Sequence, residues 1–197
     1  MLRSRVRELH YITHVDNVPS ILTYGVLSHQ RAQSVQHRSV ASEEVQGRRT
    51  AKRLPNGAQL HDYANLYFDA RNPMMSRLLY DGVHGLIVVR ISSDVLDIPG
   101  TILTDGNAAA DATRFYSSPG GLSNLDDTLI YAISWNDQDF WRKIEKKRVR
   151  NAEVLVPNMV GTEYIRGCYA SDATMRTKCQ MLAGTLEVGI NETIYFG

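Results

Sequence analysis

The chain has 197 residues, 43% of them hydrophobic and 22% charged, with a formal net charge of +1. That length suits one domain with a real core, and nothing in the composition implies disorder or low complexity. No apolar run approaches the ~20 residues of a membrane span, and the basic start, Met1 to Arg7, leads into no long apolar stretch of the kind a signal peptide has.

A single domain over residues 1–197 is therefore expected, cytoplasmic by default, with its two cysteines, Cys168 and Cys179, as free thiols. A near-neutral balance speaks against a dedicated duplex-DNA binder. The cations are nevertheless gathered, with Arg48, Arg49, Lys52 and Arg53 in one stretch and Arg142, Lys143, Lys146, Lys147, Arg148 and Arg150 in another. On charge alone such runs are solvated surface.

In chain order, Leu9 to Thr13 reads as a short strand. Asp16 and Asn17 read as helix N-caps, Pro19 sits early in the next turn, Ile21 and Leu22 face the core, and Gly25 ends the helix. The polar segment Ser28 to Gln59 is expected to be mostly loop, with a short helix around Ser42–Arg49. Ala64 to Phe68 is a strand, Arg71-Asn72-Pro73 turns, and Met74 to Tyr80 has Met75, Leu78 and Leu79 at helical spacing. Leu86 to Ile91 is the clearest strand. Thr101 to Leu103 is another, followed by the turn Thr104–Asn107 and a helix over Ala108 to Tyr116. Glu153 to Val156 is a strand ended by Pro157, and Ser171 caps a helix to about Ala183. Thr185 to Gly189 and Thr193 to Phe196 are read as two last strands. Many short strands with a few helices predict an α+β domain with a mainly antiparallel sheet.

There is no GxGxxG, no P-loop, no CxxC and no HExxH, and His14, His29, His37, His61 and His84 make no metal spacing. An enzyme built on this chain is expected to work without a metal and without a classical dinucleotide fold.

Four segments place unusual polar groups beside core strands. They are Tyr11 to Leu22; Val45 to Arg49, continuing through Leu60 to Phe68 and Asn72-Pro73-Met74; Leu103 to Ala108; and Arg150 to Val156. In this order and spacing, from about Leu9 to Val156, they resemble the DarT family of DNA ADP-ribosyltransferases, the toxins of DarT–DarG toxin–antitoxin pairs. The last forty residues match only in outline.

The resemblance implies an ADP-ribosyltransferase fold, a split and mostly antiparallel sheet with flanking helices around an NAD cleft. It implies transfer of ADP-ribose from NAD, used as substrate, to a base of single-stranded DNA, reversed by a DarG-type macrodomain antitoxin. It places Glu153 at the catalytic glutamate and Arg49 at the arginine near the nicotinamide end. His14, with Asn17 beside it, falls at the NAD ribose, and Tyr67 beside the nicotinamide. Residues from about Ser134 to Arg150 fall where a substrate-recognition loop is carried. Arg48, Arg71, Lys147, Arg148 and Arg150 are the expected nucleic-acid contacts, with Trp135 and Trp141 as stacking partners of bases or as anchors of the loop. A monomer with no metal and no membrane partner is expected.

The residue types suit the chemistry. Breaking the nicotinamide–ribose bond creates an oxocarbenium-like centre, which a carboxylate stabilises as the charge develops. The same carboxylate can accept a proton from the attacking nitrogen. An arginine fork suits the NAD phosphates, and a basic stretch suits a DNA backbone.

The chain departs from the thymine-modifying pattern at Ala64 to Met74, where Asn65 replaces a proline, and at Asn107, which replaces a histidine. Asp69, Arg71 and Asn72 offer donors and acceptors that suit a guanine edge, so guanine is expected over thymine. The alternatives are the same fold acting on RNA, a tRNA 2′-phosphate or protein, and a catalytically silent NAD- or nucleic-acid-binding module.

Overall fold

The computed structural model describes residues 1–197, apart from the side chain of Glu43. The elements in chain order are β1 (Glu8–His14), α1 (Val18–Tyr24), β2 (Val26–Leu27), α2 (His29–Ala32), α3 (Glu43–Ala51), β3 (Tyr63–Tyr67), α4 (Pro73–Tyr80), β4 (Leu86–Ser92), β5 (Ile102–Thr104), β6 (Phe115–Ser117), α5 (Asp127–Ile130), α6 (Phe140–Val149), β7 (Glu153–Pro157), β8 (Met159–Val160), β9 (Ile165–Ala170), α7 (Ala173–Ala183) and β10 (Val188–Ile190). The chain is thus α+β. Eight strands form one sheet in the order β10-β9-β4-β1-β3-β7-β5-β6, while β2 and β8 pair separately. Every junction of the large sheet is antiparallel except β9–β10.

The junction that matters is β1–β3. β1 pairs with β4 along its whole length, from Glu8↔Ser92 to His14↔Leu86. Among the described residues it meets β3 at one register pair, His10↔Tyr67. The sheet is therefore split there, and the two halves share one point of closure.

Period-2 alternation places Leu9, Leu66, Val154 and Val156 in a core with Val18 and Ile21 of α1 and Cys179 and Ala183 of α7. Ile12, Tyr67 and Val88 face the other way, against Met75 and Leu78 of α4 and Ile194. Cys168 and Cys179 are buried free thiols. No helix among the described residues is long and apolar enough to cross a membrane.

Several local expectations are corrected. Asn17 precedes α1 but does not cap it with its side chain. Its amide instead donates to Thr13 Oγ1 at 2.9 Å and to Arg38 O at 2.8 Å, and accepts from Arg38 N at 2.8 Å. It fastens the end of β1 to residue 38. The helix expected over Ala108 to Tyr116 is absent: these residues form turns leading into β6. Asn107 offers the backbone local partners that outcompete a helix, its Oδ1 accepting from Ala109 N at 2.8 Å and its carbonyl from Thr113 Oγ1 at 2.7 Å.

Asp172, not Ser171, caps α7, accepting from Met175 N at 2.9 Å. Thr193 to Phe196 is not a strand but lies in and just after a 3-10 turn, Glu192–Tyr195. The edge ladder ends where Asn191 N bonds Ala170 O at 3.0 Å, and Ile194 turns in to be buried. Within the expected recognition loop, residues from Phe140 onward form α6, capped by Asp139.

Candidate active site

The register across β1, β3 and β7 pairs His10 with Tyr67 and Tyr67 with Glu153. Directly paired residues project from the same sheet face, so these three side chains stand in a row at the closure of the split. Val154, Leu155 and Val156 are fully buried and fix the strand that carries Glu153. Glu153 N donates to Thr104 Oγ1 at 2.8 Å, and the Thr104 hydroxyl donates to Gly106 O at 2.6 Å.

The Glu153 carboxylate has 0% exposure. An ionised carboxylate buried without partners is strongly disfavoured. Here Arg49, in the last turn of α3, donates from Nη1 to Oε1 at 3.2 Å and to Oε2 at 3.1 Å. Ala108 N donates to Oε1 at 2.9 Å. Arg49 uses one nitrogen for this pair, and among the described residues its Nε and Nη2 make no hydrogen bond. Two donors of a planar fork are thus uncommitted.

Tyr67 is buried beside the pair, its hydroxyl donating to Met74 Sδ at 2.9 Å. Burial, and then the charge of Glu153, push its phenol well above the ordinary range. His14 lies four residues beyond His10 on β1, about 13 Å along the strand at its usual rise. Its Nδ1 accepts from Asp16 N at 3.1 Å. Its ring rests on Gly85, where a Cβ would overlap Nε2. Burial pushes the His14 imidazole pKa down, opposed in part by Asp16. The structure thus gathers Glu153, Arg49 and Tyr67 at the closure, and sets His14 and Asn17 together at the far end of β1.

Some site groups have no sequence signature. The Ala108 N–H is a backbone donor, and Thr104 is one threonine in a polar turn. His10 accepts from Ala70 N at 3.1 Å and contacts Glu8 at 3.1 Å, tying the 69–72 turn to β1. His29 and His61 stack with ring centroids 4.1 Å apart. Burial pushes both imidazole pKa values down, and the charge of Arg49 adds to this.

The expected nucleic-acid contacts divide. Arg48 and Lys147 are exposed. Arg71 lies with its guanidinium 4.4 Å over the Phe196 ring. Arg148 is paired with Asp105 at 2.8 Å and Glu145 at 2.6 Å, its side chain 13% exposed. Arg150 is 2% exposed and bonds Asp69 and the carbonyls of Ile130 and Arg71. It is an internal strut and not a surface cation, a correction that follows from the cost of leaving such a charge unpaired. Asp69 is consumed by this pairing, and fully buried Asn72 caps α4 through Met75 N at 3.0 Å. Trp135 packs edge-on against Phe196, whereas Trp141 is 75% exposed. No cluster of three or more His, Cys, Asp or Glu among the described residues is arranged to hold a metal.

Residues 10–196 match the family model described as "ssDNA thymidine ADP-ribosyltransferase, DarT". A DNA ADP-ribosyl transferase–DNA ADP-ribosyl glycohydrolase fusion protein of Thermosipho africanus is 39% identical over 173 residues, covering 85% of this chain and 43% of the fusion. The chain thus spans less than half of that relative's length. A DNA ADP-ribosyl transferase of Thermus sp. is 32% identical over 158 residues, covering 75% of this chain and 73% of that protein. The structure of Thermosipho africanus DarTG in complex with ADP-ribose superposes with a TM-score of 0.85 at 32% identity, over 96% of this chain and 51% of that one.

Proposed function

This chain belongs to the DarT family, and on that premise we propose that it transfers ADP-ribose from NAD to a base of single-stranded DNA, releasing nicotinamide. The observation that carries the reading is the buried Glu153 carboxylate at the closure of the split, held by Arg49 and the Ala108 N–H.

In this reading the nicotinamide–ribose bond breaks with its electron pair leaving on nicotinamide. Glu153 stabilises the positive charge that develops on the ribose. A base nitrogen then bonds the ribose carbon, and its proton passes to Glu153. Arg49 covers the carboxylate, so it must swing aside for Glu153 to reach the ribose. Its uncommitted Nε and Nη2 are suited to take the NAD phosphates as it does so. His14 and Asn17 then serve the far end of an extended dinucleotide lying along β1, with Tyr67 beside the nicotinamide.

The exposed cations Arg142, Lys143 and Lys147 on α6, with Arg48, are the groups suited to a DNA backbone. The guanine preference rests on Asp69, Arg71 and Asn72. Asn72 is buried as the cap of α4 and Asp69 pairs with Arg150, which leaves half-buried Arg71 to meet a base edge, so guanine and thymidine, the base in the family description, are to be tested side by side. The Thermosipho fusion pairs a transferase with a DNA ADP-ribosyl glycohydrolase. A DarG-type macrodomain that reverses the reaction is proposed as partner, with this chain acting as a monomeric single-domain toxin.

The test is mass spectrometry of short single-stranded oligonucleotides incubated with NAD and the chain. Parallel reactions use RNA, 2′-phosphorylated tRNA and protein. Addition of one ADP-ribose to DNA alone supports the reading. Addition only to another acceptor, or none, overturns it.

A further inference from the structure

We propose that Arg148 is a positioning residue for Glu153, acting through the turn that carries the Ala108 N–H; this rests on the transferase reading above. Its place in the basic stretch suggests a phosphate contact, but Nε and Nη2 are taken by Glu145 on the same helix and the Nη1 bonds point inward. Arg148 Nη1 donates to Asp105 Oδ1 at 2.8 Å, to Thr113 Oγ1 at 3.2 Å and to Asp105 O at 3.4 Å. Its own carbonyl accepts from Asn107 N at 3.1 Å. The next residue along, Ala108, gives its N–H to Glu153 Oε1 at 2.9 Å. Arg148 therefore grips both ends of the Asp105–Asn107 turn, and Thr104 ties the same turn to the backbone of Glu153.

The close fit of the turn to this arginine is a second observation. A Cβ at Gly106 would overlap Arg148 Nη1 and lie 2.9 Å from its Cγ. A side chain at 106 would force the arginine out of this position. Arg148 is also the penultimate residue of α6, whose exposed cations are proposed to meet DNA. The helix that receives the acceptor strand is thus bonded directly to the turn that orients the carboxylate. Ala108 occupies Oε1 and leaves the rest of the carboxylate for ribose and proton once Arg49 has moved.

The experiment compares the wild-type chain with Arg148→Ala and Gly106→Ala, which attack the same contact from opposite sides. The Ala108 amide is followed by NMR, and kcat, KM for NAD and oligonucleotide affinity against salt are measured in parallel. In both variants the Ala108 amide proton is expected to move upfield and exchange faster than in the wild-type chain. The rate kcat is expected to fall toward ~100-fold, the scale of a small misplacement of a reacting group. Oligonucleotide affinity and its salt slope are expected to stay at wild-type values. An unchanged Ala108 amide overturns the proposal, as does a lower salt slope with unchanged kcat, which would make Arg148 a phosphate contact. A wild-type chain that transfers nothing overturns the function, and the amide readout still decides the role of Arg148. If Arg148→Ala does not fold, Gly106→Ala decides alone.

Discussion

Arg49 closes Glu153 off from solvent: one guanidinium nitrogen touches both carboxylate oxygens, and the two side chains are 7% and 0% exposed. The pair is both a structural contact and the gate that the proposed chemistry has to open. Its two roles are separable by substitution.

Removing the charge of Glu153 while keeping its shape tests catalysis. In Glu153→Gln the side-chain oxygen still accepts from Ala108 N, so folding is retained. Transfer to oligonucleotide is expected to fall by at least ~100-fold, the usual cost of losing one charge-stabilising group. Near wild-type product by mass spectrometry would end the assignment of Glu153.

Removing Arg49 tests the pair as structure. Arg49→Ala strands a buried carboxylate, and breaking a buried pair this way costs ~3–5 kcal/mol. Arg49→Ala combined with Glu153→Gln removes the stranded charge and is expected to be more stable than Arg49→Ala alone. Urea denaturation of the three variants decides it. Arg49→Lys should restore little transfer, because a point charge lacks the uncommitted nitrogens of the fork.

Salt dependence tests which cations meet DNA in the proposed reading. Ala at Arg142, Lys143 and Lys147 together is expected to reduce the slope of log affinity against log salt by ~0.7 for each phosphate left without its cation. Arg150→Ala is expected to lower stability, because Asp69 and the carbonyls of Ile130 and Arg71 are left without their donor, with the slope unmoved. A slope that follows Arg150 and ignores the triple variant would reverse this placement.

Acid stability depends on Glu8. Burial raises its carboxyl pKa, but hydrogen bonds from His10 and Arg90 outweigh this and hold it down at about 2. A depressed folded value stabilises above the ordinary value and loses that contribution as pH falls from about 4.5 toward about 2. Glu8→Gln should flatten the stability curve over that window. An equally steep acid loss in the variant would show that other carboxylates control it.

Much of this is legible in the residues. Leu86 to Ile91 and Val154 to Val156 alternate or run apolar strongly enough to be strands in any context, and Glu153 can be placed at the head of its strand. The row His10, Tyr67, Glu153 cannot be read, because register is set by which faces pack and not by local composition. Three consecutive alanines, Ala108 to Ala110, suggest a helix, but Asn107 and the carboxylate of Glu153 hold those N–H groups in turns. Arg150 looks like one more cation in a basic run. Its burial depends on Asp69, 81 positions away, and no local pattern carries such a contact.

The order of the sheet also bears on how the molecule assembles. β7 lies between β3 and β5, so the strand bearing Glu153 inserts between partners made much earlier in the chain. Pairings of such sequence separation are slow to form, because loop closure precedes the reward. Tyr67, Thr104 and Ala108 acquire their relation to the carboxylate only when β7 docks. The proposed chemistry therefore needs the last of these pairings, and a growing chain that has not yet delivered residue 153 holds β1, β3 and β5 without the carboxylate proposed to act on NAD.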